Sequence, residues 1–135
     1  GTSTAQSPSH TYTDAGSYAV SLTVETSAGS DTETKSTYVS VCAPPVADFS
    51  AEPTSGLEPL VVQFTDQSTA GSSSITSWSW SFGDDGTSTE QNPSHIYLLP
   101  GNYTVSLTVG TACSDATATK PDYITVGSLS RRMGR

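Results

Sequence analysis

The sequence repeats itself at long range. Residues 1–24, GTSTAQSPSHTYTDAGSYAVSLTV, and residues 86–109, GTSTEQNPSHIYLLPGNYTVSLTV, are identical at 16 of 24 positions with no gap. The offset of 85 persists downstream. DTETKSTYVSV (31–41) falls on ATATKPDYITV (116–126), matching Lys35 with Lys120, Tyr38 with Tyr123 and Val41 with Val126. A period this long exceeds that of stacked solenoid repeats and suits whole domains joined in series. Residues 42–126 then form one complete copy. Residues 1–41 are the C-terminal half of a preceding copy, and 127–135 is a basic tail expected to be flexible.

Within the complete copy, apolar residues recur at every second position, the period of strands with one dry face. Strands are expected at Val46–Ser50, Leu60–Asp66, Ile75–Phe82, Gly101–Val109 and Thr117–Val126, with a short strand or coil through Thr87–Tyr97. In Ile75–Phe82, Trp78, Trp80 and Phe82 share one parity and Ser77, Ser79 and Ser81 the other. Pro53, Gly56 and Pro59 mark 51–59 as a turn. The half copy repeats only the later strands, Ser17–Val24 and Thr32–Val41. Short strands at regular spacing between Gly/Pro turns point to an all-β, immunoglobulin-like β-sandwich of about seven strands.

Charge narrows the function classes. The formal net charge is −8, and three of the five basic residues, Arg131, Arg132 and Arg135, lie in the tail. The acidic body lacks the electrostatic footprint of a nucleic-acid binder. No apolar run is long enough for a membrane helix, so no direct membrane insertion is expected. Ser and Thr supply 45 of 135 residues, which keeps the outward strand faces wet.

Three linked motifs carry a resemblance. Trp80-Ser-Phe-Gly-Asp-Asp-Gly86, then Asn92-Pro-Ser-His-Ile-Tyr97, then Gly101-Asn-Tyr-Thr-Val-Ser-Leu-Thr-Val109 resembles the polycystic kidney disease (PKD) domain family. PVADFSAEPTSGLEPLVVQFTD, from Pro45, is similar to that family's first two strands. Ser81 stands where the family usually has Asp, and Asp85 where it often has Gly. The resemblance implies an Ig-like sandwich in which Trp80, Phe82, Gly83, Asp84, Pro93, His95, Tyr97, Gly101, Tyr103, Val105 and Leu107 form the structural signature. It also implies an extracellular or cell-surface setting and a role in binding, spacing or assembly without catalysis. The expected function is a non-catalytic structural or adhesive module, a spacer or assembly unit of a cell-surface or filamentous protein. The alternative is an accessory domain of a secreted hydrolase that holds polysaccharide or another substrate.

Each candidate site has a plainer competitor. Trp78 is a candidate carbohydrate-stacking residue, and its parity with Trp80 equally makes it core. Asp84 and Asp85, with Asp66, are weak Ca²⁺ candidates; a turn carboxylate accepting backbone N–H groups is the simpler reading, and no other cofactor is implied. His95 and His10 recur in PSHxY with no nucleophile in a suggestive context, so a structural bridge between a loop backbone and the sandwich is expected. Cys42 and Cys113 are candidates for a disulfide. Asn102-Tyr103-Thr104 is a glycosylation sequon on an outward strand position.

The half copy raises the question of partners. Residues 1–41 lack the equivalents of the first strands and cannot close a core alone. Either the missing half belongs to a longer array, or strands from another copy or a neighbouring repeat complete it. The strands of 42–85 are expected to serve 86–126. The five-residue link 41–45 spans less than ~20 Å and cannot cross a sandwich to serve 1–41 instead.

Overall fold

The computed structural model describes residues 1–129 and divides into two compact units, Gly1–Ala43 and Pro44 onward. Arg131, Arg132 and Arg135 lie outside the described residues. In the second unit, eight strands form two sheets. β3 (Phe49–Glu52), β5 (Leu60–Asp66) and β8 (Ser94–Tyr97) make a three-stranded sheet in the order β3-β5-β8. β4 (Ser55–Leu57), β6 (Ile75–Ser81), β7 (Thr87–Ser88), β9 (Gly101–Thr111) and β10 (Asp115–Gly127) make a five-stranded sheet in the order β4-β10-β9-β6-β7.

Alternation fixes which faces meet. Leu60, Val62 and Phe64 of β5 are buried, with Val61, Gln63 and Thr65 exposed between them. Val105, Leu107 and Val109 of β9 are fully buried and pack in one cluster with Phe49, Phe64, Trp80, Tyr97 and Ile124. The cluster draws on both sheets, the two-layer solution for strands with one apolar face. Register sets Trp80 opposite Leu107 and Trp78 opposite Val109. Phe49 meets Trp80 edge-on with ring centroids 5.2 Å apart, and Phe64 lies tilted at 5.4 Å from the same indole.

Two strand expectations change. Val46–Ser50 is not one strand: Val46 makes an isolated bridge to Thr69, and the paired strand begins at Phe49. Residues 46–48 hold the loop after β5 instead, since the Asp48 carbonyl accepts the Gln67 N–H at 2.8 Å and the Ser68 hydroxyl at 3.2 Å. The turn expected at 51–59 contains β4, which pairs parallel with the end of β10. Pro53 has no N–H to donate, and beyond it the chain leaves the sheet of β5 for the sheet of β10.

The first unit is an antiparallel hairpin of β1 (Gly16–Thr26) and β2 (Gly29–Val41). Its register breaks between Tyr18 and Val20, where Val39 and Lys35 are the partners. The β9–β10 pair breaks at the equivalent place, between Tyr103 and Val105 against Ile124 and Lys120. Thr37 (φ 47°) and Asp122 (φ 48°) mark the same left-handed residue in the two irregularities.

Candidate functional site

The signature residues form a locked turn at one edge of the sandwich. β6 ends at Ser81, and Phe82 to Gly86 fold back, with the Phe82 N–H donating to the Gly86 carbonyl at 3.0 Å. Gly83 takes φ 90°, and a Cβ there would stand 2.6 Å from the Thr104 carbonyl oxygen. Asp85 takes φ 71° without being glycine, a conformation Asp tolerates better than most residues. The Asp84 carboxylate accepts the Gly86 N–H at 3.0 Å through Oδ1 and meets His95 Nε2 at 2.8 Å through Oδ2.

The His95 ring stacks on Phe82 at 4.2 Å and 14°. His95 therefore reaches the turn through a carboxylate, where the sequence suggested a loop backbone. The backbone contact comes from Tyr97, whose buried hydroxyl donates to the Phe82 carbonyl at 2.9 Å. Burial first, then the Asp84 charge and Tyr103, push the Tyr97 phenol well above its ordinary value. Trp80 Nε1–H donates to the Glu90 carbonyl at 2.9 Å.

A second polar knot surrounds Trp78. The indole is half-buried against the core, and its N–H donates to Asp66 Oδ2 at 2.9 Å. Gln91 donates to the same oxygen at 3.2 Å, and the Ser68 N–H donates to Oδ1 at 2.9 Å. Partial burial pushes the Asp66 carboxyl upward, but the bonds from Ser68, Trp78 and Gln91 outweigh it and the pKa lies below the ordinary value. Asp66 and Asp84 thus serve different knots. Among the described residues, no group of three or more His, Cys, Asp and Glu side chains is placed to hold a metal; the geometry does not bring Asp66, Asp84 and Asp85 together as Ca²⁺ ligands.

Lys120 ties β10 to the start of β3, a contact that sequence reasoning missed. Its ammonium donates to the Phe49 carbonyl at 2.6 Å and lies 3.3 Å from Asp48 Oδ1. It also sits over the rings of Phe49 (4.9 Å) and Tyr123 (5.1 Å). The Phe49 N–H and then Lys120 lower the Asp48 carboxyl. The signal was present in the repeat, which carries Lys35 and Tyr38 in the same register. Cys42 and Cys113 are both disulfide-bonded. Asn102 is exposed on β9.

The first unit repeats part of this pattern. His10 meets Tyr12 at 4.7 Å and 84°, as His95 meets Tyr97 at 4.8 Å and 84°. Tyr12 lies 4.5 Å from Tyr18, as Tyr97 does from Tyr103. The Tyr18 hydroxyl donates to the Asp14 carbonyl at 2.6 Å, as Tyr103 does to Leu99 at 2.6 Å. These are both tyrosine corners, a mark of Ig-like sandwiches. Thr23 and Thr32 share a hydrogen bond at 2.7 Å, as do Thr108 and Thr117. One property differs: Val20, Leu22 and Val24 are 38%, 58% and 52% exposed, whereas Val105, Leu107 and Val109 are 0% exposed.

Comparison with known proteins places this geometry in context. The family model described as "PKD domain" matches residues 1–41 and 42–126. A 58-residue stretch, 42% of the chain, is 45% identical to Collagenase ColA of Bacillus cereus; the chain spans 6% of that protein's length. The PKD1 domain of the Vibrio cholerae metalloprotease PrtV is 33% identical with a TM-score of 0.54, over 62% of this chain and 98% of that one. A structure of carbohydrate-binding modules from the β-sandwich superfamily is 26% identical with a TM-score of 0.59, over 64% of this chain and 36% of that one.

Proposed function

Because the chain belongs to the PKD-domain family, we propose that it is a non-catalytic structural module of an extracellular protein, a spacer or assembly unit between other domains. One observation carries the reading. The groups that chemistry would need are turned onto one another: His95 onto Asp84, Tyr97 onto the Phe82 carbonyl, Trp80 onto the Glu90 carbonyl and Trp78 onto Asp66. Such a constellation holds a turn and a sheet edge in place and leaves no aligned nucleophile and base. The secreted setting is supported by the relatives being a collagenase and a metalloprotease, and by the disulfide, which persists in oxidising compartments. Roles in adhesion, surface layers or filaments are finer versions of the same reading.

A second reading has its own support. The similarity to a segment of a collagenase, and to carbohydrate-binding modules, favours an accessory domain that holds substrate for a catalytic domain elsewhere. Trp78, with part of its ring accessible, would be the contact. Retention of the purified chain on insoluble chitin, cellulose and collagen separates the two. The spacer reading expects no retention on any of them. Retention abolished by Trp78→Ala would replace it with the accessory reading.

A further inference from the structure

The two edges of the three-stranded sheet are treated differently. β3 is guarded: the Asp48 carboxylate takes the Phe49 N–H at 2.8 Å, and Lys120 takes the Phe49 carbonyl at 2.6 Å. β8 lies at the other end of the order β3-β5-β8, with no strand beyond it among the described residues. The Pro93 carbonyl accepts the Phe64 N–H of β5. Alternation therefore turns the backbone of His95 and Tyr97 toward β5 and that of Ser94 and Ile96 to the open side. Natural edges are blunted by charge, proline or a bulge. Ser94–Tyr97 has no lysine, carboxylate, proline or register break.

Apolar side chains line this same edge. Val61 and Ile96 are direct cross-strand partners, and they, Leu98 and Leu99 are each at least half exposed. Gln63 and Ser94, the next pair on that outward face, are uncharged, so two copies of an acidic chain meet here without setting like charges in the seam. The fold does not call for these apolar residues. At the positions of Ile96, Leu98 and Leu99 the first repeat has Thr11, Thr13 and Asp14. Its tyrosine corner still closes, Tyr18 on the Asp14 carbonyl as Tyr103 on that of Leu99. The apolar edge belongs to this copy and not to the repeat pattern.

We propose that β8 is the interface for a second copy of this chain, the two edges pairing antiparallel about a two-fold axis at Ile96. Ile96 of one copy faces Ile96 of the other, each N–H donating to the other's carbonyl. The outward face gains an unbroken row Val61–Ile96–Ile96–Val61, and Leu98 of each copy falls beside Ser94 of the other. A two-fold contact needs only one self-complementary patch. Four half-exposed apolar residues per copy make a patch of a few hundred Å², the scale of a weak dimer with less than about 1,200 Å² of total interface. The inference stands on the edge geometry and holds whether the module spaces domains or holds substrate.

Sedimentation velocity of the full 135-residue chain from about 10 µM to 1 mM tests this, with amide exchange followed in β8. The expected result is a monomer–dimer equilibrium within that range and an Ile96 amide whose exchange slows as the dimer forms. Ile96→Lys places a charge on an exposed edge position and is expected to weaken association by about tenfold or more. Ile96→Thr, the residue the first repeat carries there, weakens it to a lesser degree. Leu22→Asp, on the exposed face of β1, leaves it unchanged. A chain that stays monomeric throughout overturns the proposal. So does association that survives Ile96→Lys, or that is lost with Leu22→Asp, because the contact then lies elsewhere on the molecule.

Discussion

Gly83 sits where a positive φ and a close backbone approach coincide. Gly83→Ala introduces both left-handed strain and a contact with the Thr104 carbonyl, and is expected to lower stability by about 1–3 kcal/mol. Urea unfolding followed by tryptophan emission reads this directly. Asp66 acts through charge. Its folded pKa lies below the ordinary value of 3.8, so its ionised form stabilises the fold at pH above the unfolded-chain value. That contribution fades as pH falls through the depressed folded value. Asp66→Ala removes the acceptor for Trp78, Gln91 and Ser68 and is expected to cost about 1–3 kcal/mol at pH 7. The gap between the two proteins is unchanged when unfolding is repeated at pH 5 and narrows only below 3.8.

β1 and β9 are nearly the same strand in two surroundings. Leu107 is buried and Leu22 is 58% exposed at the equivalent position. Leu107→Ala is expected to cost about 2–5 kcal/mol in the unfolding of the second unit. Leu22→Ala should shift stability by no more than about 0.5 kcal/mol. Parallel denaturation of the two variants checks both. β5, β6 and β9 were legible in the sequence because Leu60–Phe64, Trp78–Phe82 and Tyr103–Val109 alternate strictly. β4 was hidden because Ser55-Gly56-Leu57 has the composition of a turn and gains strand character only from β10, about 70 residues away. The start of β3 moved because Asp48 caps the Phe49 N–H at 2.8 Å and spends its carbonyl on the next loop. The knots around Asp66 and Asp84 join residues 11 to 25 positions apart, beyond the reach of any local period. His95 was readable as structural from its repetition, but its carboxylate partner was not.

At the scale of the molecule, the 85-residue register explains both the closed sandwich and the open hairpin. Local order in the hairpin, down to its tyrosine corner and its left-handed residue, matches that of β9–β10. Burial is what the first half of a repeat adds. The parallel pairing of β4 with β10 has a further, mechanical consequence. A pull on the end of β10 against the chain entering β4 loads the two strands along their length. Their parallel pairing, held by Thr125 N–H to the Thr54 carbonyl at 2.9 Å and Glu58 N–H to the Gly127 carbonyl at 3.0 Å, then strains in shear, with its bonds resisting together rather than opening one at a time.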